Sequence, residues 1–169
     1  SGTTLKLKDA VSADFETDSS YSITLTATDS ADNTLSKDYT ITVSDVNETP
    51  SALALSASTF VENAAVVTVG TLSATDPDSG EIFTYSISGT DKDSFELSGT
   101  TLKLKDTVSA NFEADASYSI TLTATDSADN AVSKDYTITV SDVTDAPSFT
   151  SASTSTVSEN TSAVITLTG

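Results

Sequence analysis

Ser117-Tyr118-Ser119-Ile120-Thr121-Leu122-Thr123-Ala124-Thr125-Asp126 is the stretch that decides the fold. Tyr118, Ile120, Leu122 and Ala124 fall on alternate positions, with a hydroxyl residue between each pair. A repeat of two is the signature of a strand with one face in a core and one in water. The same ten residues occur at Ser20-Tyr21-Ser22-Ile23-Thr24-Leu25-Thr26-Ala27-Thr28-Asp29, an offset of 97. Extending the match outward, residues 1–47 return at 98–144 with 40 of 47 positions identical. Val61-Glu62-Asn63 finds a weaker echo in Ser158-Glu159-Asn160 at the same offset. A period of 97 is far longer than a solenoid unit and matches a complete small domain. The expected organisation is therefore the C-terminal half of one repeat (1–47), a complete repeat (48–144) and the opening strands of the next (145–169).

The same alternation runs through the complete repeat. Tyr136, Ile138 and Val140 alternate with hydroxyl residues, as do Phe83, Tyr85 and Ile87, and Leu102 and Leu104 lie between lysines. Val67 and Val69 begin a strand that Gly70 is expected to interrupt with a bulge before Leu72 and Ala74. Leu53 and Leu55 suggest an opening strand. About seven short strands parted by Asp, Ser, Gly and Asn turns predict an all-β, antiparallel Greek-key sandwich. The strand aromatics share parity with the aliphatics, which assigns them to the core. Lys6, Lys8, Lys103 and Lys105 are expected on a solvated strand face, blunting an edge.

Composition narrows the chemistry. Among 169 residues there are 25 acidic and 7 basic side chains, a net charge of −18, with no His, Cys, Met or Trp. Every basic residue is Lys. Thiol, haem and iron–sulfur sites have no ligands, and imidazole-dependent nucleophilic catalysis cannot be assembled. Nucleic acid and anionic membranes meet a field of the wrong sign. Hard cations that prefer carboxylate oxygen remain open as ligands.

The carboxylates collect at strand ends and at the repeat boundary: Glu62-Asn63, Asp76-Pro77-Asp78, Asp14-Phe15-Glu16 with its copy Asn111-Phe112-Glu113, and Ala27-Thr28-Asp29 with Ala124-Thr125-Asp126. Boundary segments follow, Asp45-Val46-Asn47-Glu48-Thr49-Pro50 and Asp142-Val143-Thr144-Asp145-Ala146-Pro147. In these residues, in this order, the chain resembles the cadherin repeat, whose pattern is E-N, D-x-D, D-R-E, A-x-D and a D-x-N-D-N-x-P linker. Two departures stand out: the linker is one residue shorter and lacks the second Asn, and Asn111 replaces the Asp kept at Asp14. The near-identity of the repeats and the absence of Arg and Cys are more similar to giant bacterial surface adhesins than to animal cadherins.

The resemblance implies Ca2+ between successive domains. At the first junction it implies ligands Asp14, Glu16, Asp45, Asn47 and Glu48 from one repeat, with Asp76, Asp78 and Asp126 from the next. At the second it implies Glu62, Glu113, Asp142 and Asp145. It also implies an extracellular or cell-surface setting, with neighbouring repeats of the same chain as partners. Carboxylates about 4 Å apart repel by about 1 kcal/mol per pair even in bulk water, so a metal-free junction is expected to flex. For Asp32, Asn33, Asp129 and Asn130 a turn role is expected instead.

The sequence leaves other readings open. Residues 1–47 carry Leu5, Leu7, Phe15, Tyr21, Ile23, Leu25, Tyr39, Ile41 and Val43 on inward positions without the strands that would cover them. Either the chain is an excerpt of a longer array, or identical chains join head to tail by strand donation into a fibre. A direct carbohydrate-binding module is a third possibility, opposed by the absence of Trp. Paired carboxylates could in principle serve glycoside hydrolysis, but they lie at linkers and turns. No catalytic residue is assigned, and the expectation is a module that is not an enzyme.

Overall fold

The computed structural model describes residues 3–64, 67–151, 154 and 156–160. Its strands are β1 (Ser20–Thr28), β2 (Thr34–Thr42), β3 (Ala52–Leu55), β4 (Thr59–Val61), β5 (Thr68–Thr75), β6 (Thr84–Ser88), β7 (Phe95–Ser98), β8 (Thr101–Leu104), β9 (Ser117–Thr125) and β10 (Ala131–Ser141). A single 3-10 turn, Lys92–Ser94, precedes β7. Among the described residues no helix is long and apolar enough to cross a membrane.

Strands β3 to β10 form a Greek-key sandwich of two four-stranded sheets, ordered β4-β10-β9-β6 and β3-β5-β8-β7. All pairings are antiparallel except β4 with β10, which run parallel from Thr59↔Thr139 to Val61↔Ser141. The alternation seen in the sequence becomes the two faces of β9: Tyr118, Ile120, Leu122 and Ala124 are buried. Facing them across the sandwich are Leu53, Val69, Leu72, Phe95, Leu102 and Leu104. Tyr118 anchors the middle, edge-on to Phe95 at 5.4 Å between ring centroids and stacked on Phe60 at 6.4 Å. Phe83, Tyr85, Phe112 and Tyr136 pack against this core, so the aromatics of the repeat are structural as expected.

Three details depart from the sequence reading. The complete repeat has eight strands rather than about seven. The opening strand splits into β3 and β4, which join opposite sheets, and Phe95–Ser98 adds an edge strand. β4 has a single inward residue, Phe60, and so no alternation to register, while β7 offered only the pair Phe95 and Leu97. Finally, β8 lies between β5 and β7, so Lys103 blunts no edge. Its alternation with Leu102 and Leu104 reflects an outward face on an inner strand. Gly70 does mark a bulge, where the β5–β8 register shifts between Thr68 and Gly70. A Cβ there would lie 2.9 Å from both the backbone N and O of Ala57, so the close crossing of the β3–β4 link requires glycine.

Residues 20–42 repeat the β9–β10 hairpin with the same register, Ser20↔Thr42 through Thr28↔Thr34 against Ser117↔Thr139 through Thr125↔Ala131. Identical sequence here meets a different environment. Leu122, Leu102 and Ile138 are 0% exposed, whereas Leu25, Leu5 and Ile41 at the matching positions are 45%, 56% and 41% exposed. The β1–β2 sheet has only two strands among the described residues, and Leu5 and Leu7 lie outside any strand. The open apolar face expected for 1–47 is present. In the tail, the described residues of 145–160 form no strand, and the remaining positions of the expected opening strands lie outside the described residues.

Candidate metal centres at the repeat junction

Strand geometry places the acidic residues at the strand ends, Asp76, Asp78 and Asp126 at one end of the sandwich and Glu62 and Asp142 at the other. Asp45 follows β2, Asp76 and Asp78 follow β5, and Asp126 follows β9. Glu16 sits in the turn at residues 15–17, and Glu48 lies in the linker. Carboxylate oxygens of Glu16, Asp45, Glu48 and Asp78 all lie within 4.8 Å of one another. Glu16, Asp45 and Asp78 line a cleft with Phe15, Asn47, Pro77 and Ser79, and Glu16 and Glu48 line a second with Phe15 and Pro77. Two of these carboxylates come from the partial repeat, one from the linker and one from the complete repeat.

The linker is seated by hydrogen bonds. The Glu48 N–H donates to Asp78 Oδ2 at 2.8 Å, and the Asp78 N–H donates to Asp76 Oδ1 at 3.0 Å. That leaves Glu48 Oε2 and Asp76 Oδ2 buried with no hydrogen-bond partner. Loss of hydration pushes the Glu48 carboxyl above the usual carboxylate range, and the neighbouring charges of Glu16, Asp78 and Asp45 push it further. Buried acceptors without donors, in a group of like charges, are what a bound cation satisfies.

A second group unites Glu62, Glu113 and Asp142, again within 4.8 Å. Glu113 and Asp142 are the offset-97 copies of Glu16 and Asp45. Glu62 is 2% exposed, yet its carboxylate is well served: Oε2 accepts the Phe112 N–H and Oε1 the Val143 N–H, both at 2.8 Å. These bonds hold its carboxyl below the usual range despite burial. Glu62 therefore ties the end of β4 to the 111–115 turn and to the segment after β10 while turning charge toward Glu113 and Asp142.

Five of the residues expected as ligands lie outside these groups: Asp76, whose Oδ1 accepts the Asp78 N–H, and Asp14, Asn47, Asp126 and Asp145. Asp14 Oδ1 accepts the Thr17 N–H at 3.0 Å, closing its own turn. Asp145 Oδ1 accepts the Asn63 amide at 3.2 Å. Asn47 donates to the Glu48 carbonyl and to Asp126 Oδ2, both at 2.8 Å. Burial raises the Asp126 carboxyl, but donors from Asn47, Asn130 and Ala128 outweigh it and hold the group below the usual range. Asp32 and Asp129 occupy left-handed turn positions, and Asn33 and Asn130 bond the Asp four residues earlier, in keeping with turn roles. Sequence reasoning gave no role to the Asn63 side chain and missed the reach of Asn130 to the Glu48 carbonyl at 3.4 Å. The E-N pair and the repeated D-S-A-D-N turn were the signals available for both.

The comparisons with known proteins agree with this architecture. The Cadherin domain family model matches residues 57–141, and the chain belongs to that family. Among solved structures it is similar to protocadherin gamma B7 extracellular cadherin domains 1–4, with 28% identity and a TM-score of 0.62, covering 78% of this chain and 34% of that one. For the protocadherin gamma B4 extracellular domain the values are 29% identity and TM-score 0.61, covering 82% and 24%. For protocadherin gamma B2 extracellular cadherin domains 3–6 they are 25% and 0.63, covering 83% and 35%. The chain thus spans about a quarter to a third of the length of these structures. No curated protein sequence matches it.

Proposed function

We propose that the chain is a calcium-stiffened extender module of an extracellular adhesion protein, with its repeats acting as spacers for a binding domain elsewhere. The observation that carries this reading is the junction group of Glu16, Asp45, Glu48 and Asp78, drawn from both sides of the repeat boundary, beside two buried carboxylate oxygens without donors. The donor set fits calcium, which takes six to eight oxygens in flexible geometry. Glu16 and Asp45 would hold the ion from the preceding repeat, Glu48 from the linker, and Asp76 and Asp78 from the following repeat. Glu62, Glu113 and Asp142 would do the same at the second junction, and Asp14 and Asp145 lie beside these groups, held by their own turn and by Asn63. Bound calcium supplies the positive charge that turns mutual repulsion into a bridge between repeats. The near-identical repeats, free of Arg and Cys, favour a bacterial surface adhesin among such proteins. The test is calorimetric titration of the chain with calcium: the reading expects saturable binding that Asp76→Ala, Asp78→Ala abolishes at the first junction. Unchanged binding in that double variant would sink it.

A second reading has one observation in its favour. Leu5, Leu7, Leu25 and Ile41 present an apolar face that 48–144 covers with its own strands. A second copy adding a strand at this face would build a fibre head to tail. Sedimentation of the isolated chain decides it, since a clean monomer at high concentration excludes such donation.

A further inference from the structure

The apolar face of the partial repeat contains a groove with a definite counterpart in the complete one. Its volume is about 540 Å³, and its lining includes Ala13, Tyr21, Thr42, Val43 and Ser44. At an offset of 97 these positions are Ala110, Tyr118, Thr139, Val140 and Ser141. All five meet β4 or the turn that follows it. Thr139, Val140 and Ser141 pair in parallel with Thr59, Phe60 and Val61. Tyr118 stacks on Phe60, and the Ala110 carbonyl accepts the Asn63 N–H at 3.2 Å. The groove is therefore the β4 slot of the partial repeat.

The frame of the slot is already set. In the 14–18 turn the Asp18 N–H donates to the Asp14 carbonyl at 2.9 Å, as the Asp115 N–H does to the Asn111 carbonyl at 2.9 Å. In the complete repeat this turn and the segment after β10 offer the Phe112 and Val143 N–H groups to Glu62. Phe15 and Val46 stand at the matching positions, and among the described residues no carboxylate accepts their N–H groups. The chain also carries a second version of the element that fills such a slot. Val157, Glu159 and Asn160 are the offset-97 counterparts of Phe60, Glu62 and Asn63. Asn160 has a φ of 65° and Asn63 of 59°, so the two E-N turns share the left-handed backbone. Val157 is 52% exposed, an apolar side chain still in water.

We infer that segment 156–160 of one copy docks in the β4 slot of a second copy, with Glu159 as the residue that recognises it. Thr156-Val157-Ser158 runs parallel to Thr42-Val43-Ser44, and Val157 covers Tyr21. The Glu159 carboxylate accepts the Phe15 and Val46 N–H groups. Bonds from N–H groups to a carboxylate are charge-assisted, and they set a register that an apolar face alone does not. Glu16 and Asp45 flank this position as Glu113 and Asp142 flank Glu62, so a cation there strengthens the docking.

The inference rests on the strand-addition reading and gives it a register and a recognition residue. Sedimentation velocity of the 169-residue chain in calcium, over a concentration series, is expected to show head-to-tail oligomers. Glu159→Ala and Val157→Asp are each expected to weaken them by about tenfold or more. Both positions lie outside the strands of the sandwich, so neither change unfolds it. The native chain lacks Cys, so register is read by oxidative cross-linking. Val43→Cys with Val157→Cys is expected to link into a ladder faster than Leu35→Cys with Val157→Cys, and equal rates would overturn the register. A monomer at every concentration would overturn both the inference and the strand-addition reading. Oligomers indifferent to Glu159 and Val157 would overturn the inference alone and leave strand addition to another segment. The calcium reading is tested at Asp76 and Asp78, which lie outside the groove, so it stands or falls separately.

Discussion

Leu122 and Leu25 offer an unusually direct test of the packing argument, because both sit in the same ten-residue sequence on strands of the same register. Leu122 is 0% exposed, in the same buried core as Ile120, Leu102 and Ile138, whereas Leu25 is 45% exposed on the β1–β2 sheet. Truncating a fully buried Leu to Ala costs about 2–5 kcal/mol, the sum of lost transfer energy and the cavity left behind. For a domain of this size, about 3 kcal/mol corresponds to a fall in melting temperature of roughly 12–24 °C. Leu25→Ala removes a side chain that is already half in water and leaves no closed cavity, so its cost should stay below about 1 kcal/mol. Urea and thermal unfolding followed by far-UV circular dichroism measure both, in calcium and in chelator. The reasoning is refuted if Leu25→Ala destabilises the main transition as much as Leu122→Ala, which would mean that the two hairpins share one environment.

Other consequences follow from particular contacts. Gly70→Ala drives a Cβ to within 2.9 Å of the Ala57 backbone, and overpacking of this kind costs about 1–3 kcal/mol, read as a melting point several degrees lower. An unchanged melting point would show that the β3–β4 link can give way. Asp29 is held below the ordinary Asp range chiefly by the Asn33 side chain, then by the N–H groups of Asn33 and Ala31. Its folded value is the lower one, so its small contribution is present above the unfolded value and lost as pH falls through the folded value. Carboxyl NMR should find Asp29 titrating low and Asn33→Ala moving it upward, and an Asp29 indifferent to Asn33 would contradict the assignment.

Much of the fold was legible because the repeat and the period of two reinforce each other. Tyr118 to Ala124 alternate, recur 97 residues away, and become the buried face of β9 in the structure. β4 escaped because a three-residue strand has a single inward side chain, Phe60, and its parallel pairing with β10 is a long-range choice that local pattern does not encode. The misreading of Lys103 has a related cause: alternation reveals that a face is wet, not whether the strand lies at an edge. In the junction, residue type and order located Glu16, Asp45, Glu48 and Asp78, which the chain does bring together. The part that was not legible is how acceptors are shared. Asp126 and Glu48 read alike as linker-facing carboxylates, yet one is saturated by amides and the other retains a buried oxygen without a donor. That difference depends on where Asn47 and Asn130 point, which follows only from three-dimensional placement.

The central claim is that the carboxylates of the boundary stiffen the chain when calcium joins them. The distance between labels on Ser22→Cys and Ser86→Cys, recorded by pulsed electron resonance in calcium and in chelator, measures this directly. The account predicts that calcium narrows the distribution and that Asp78→Ala removes the calcium-dependent part. Superimposable distributions with and without calcium would contradict it.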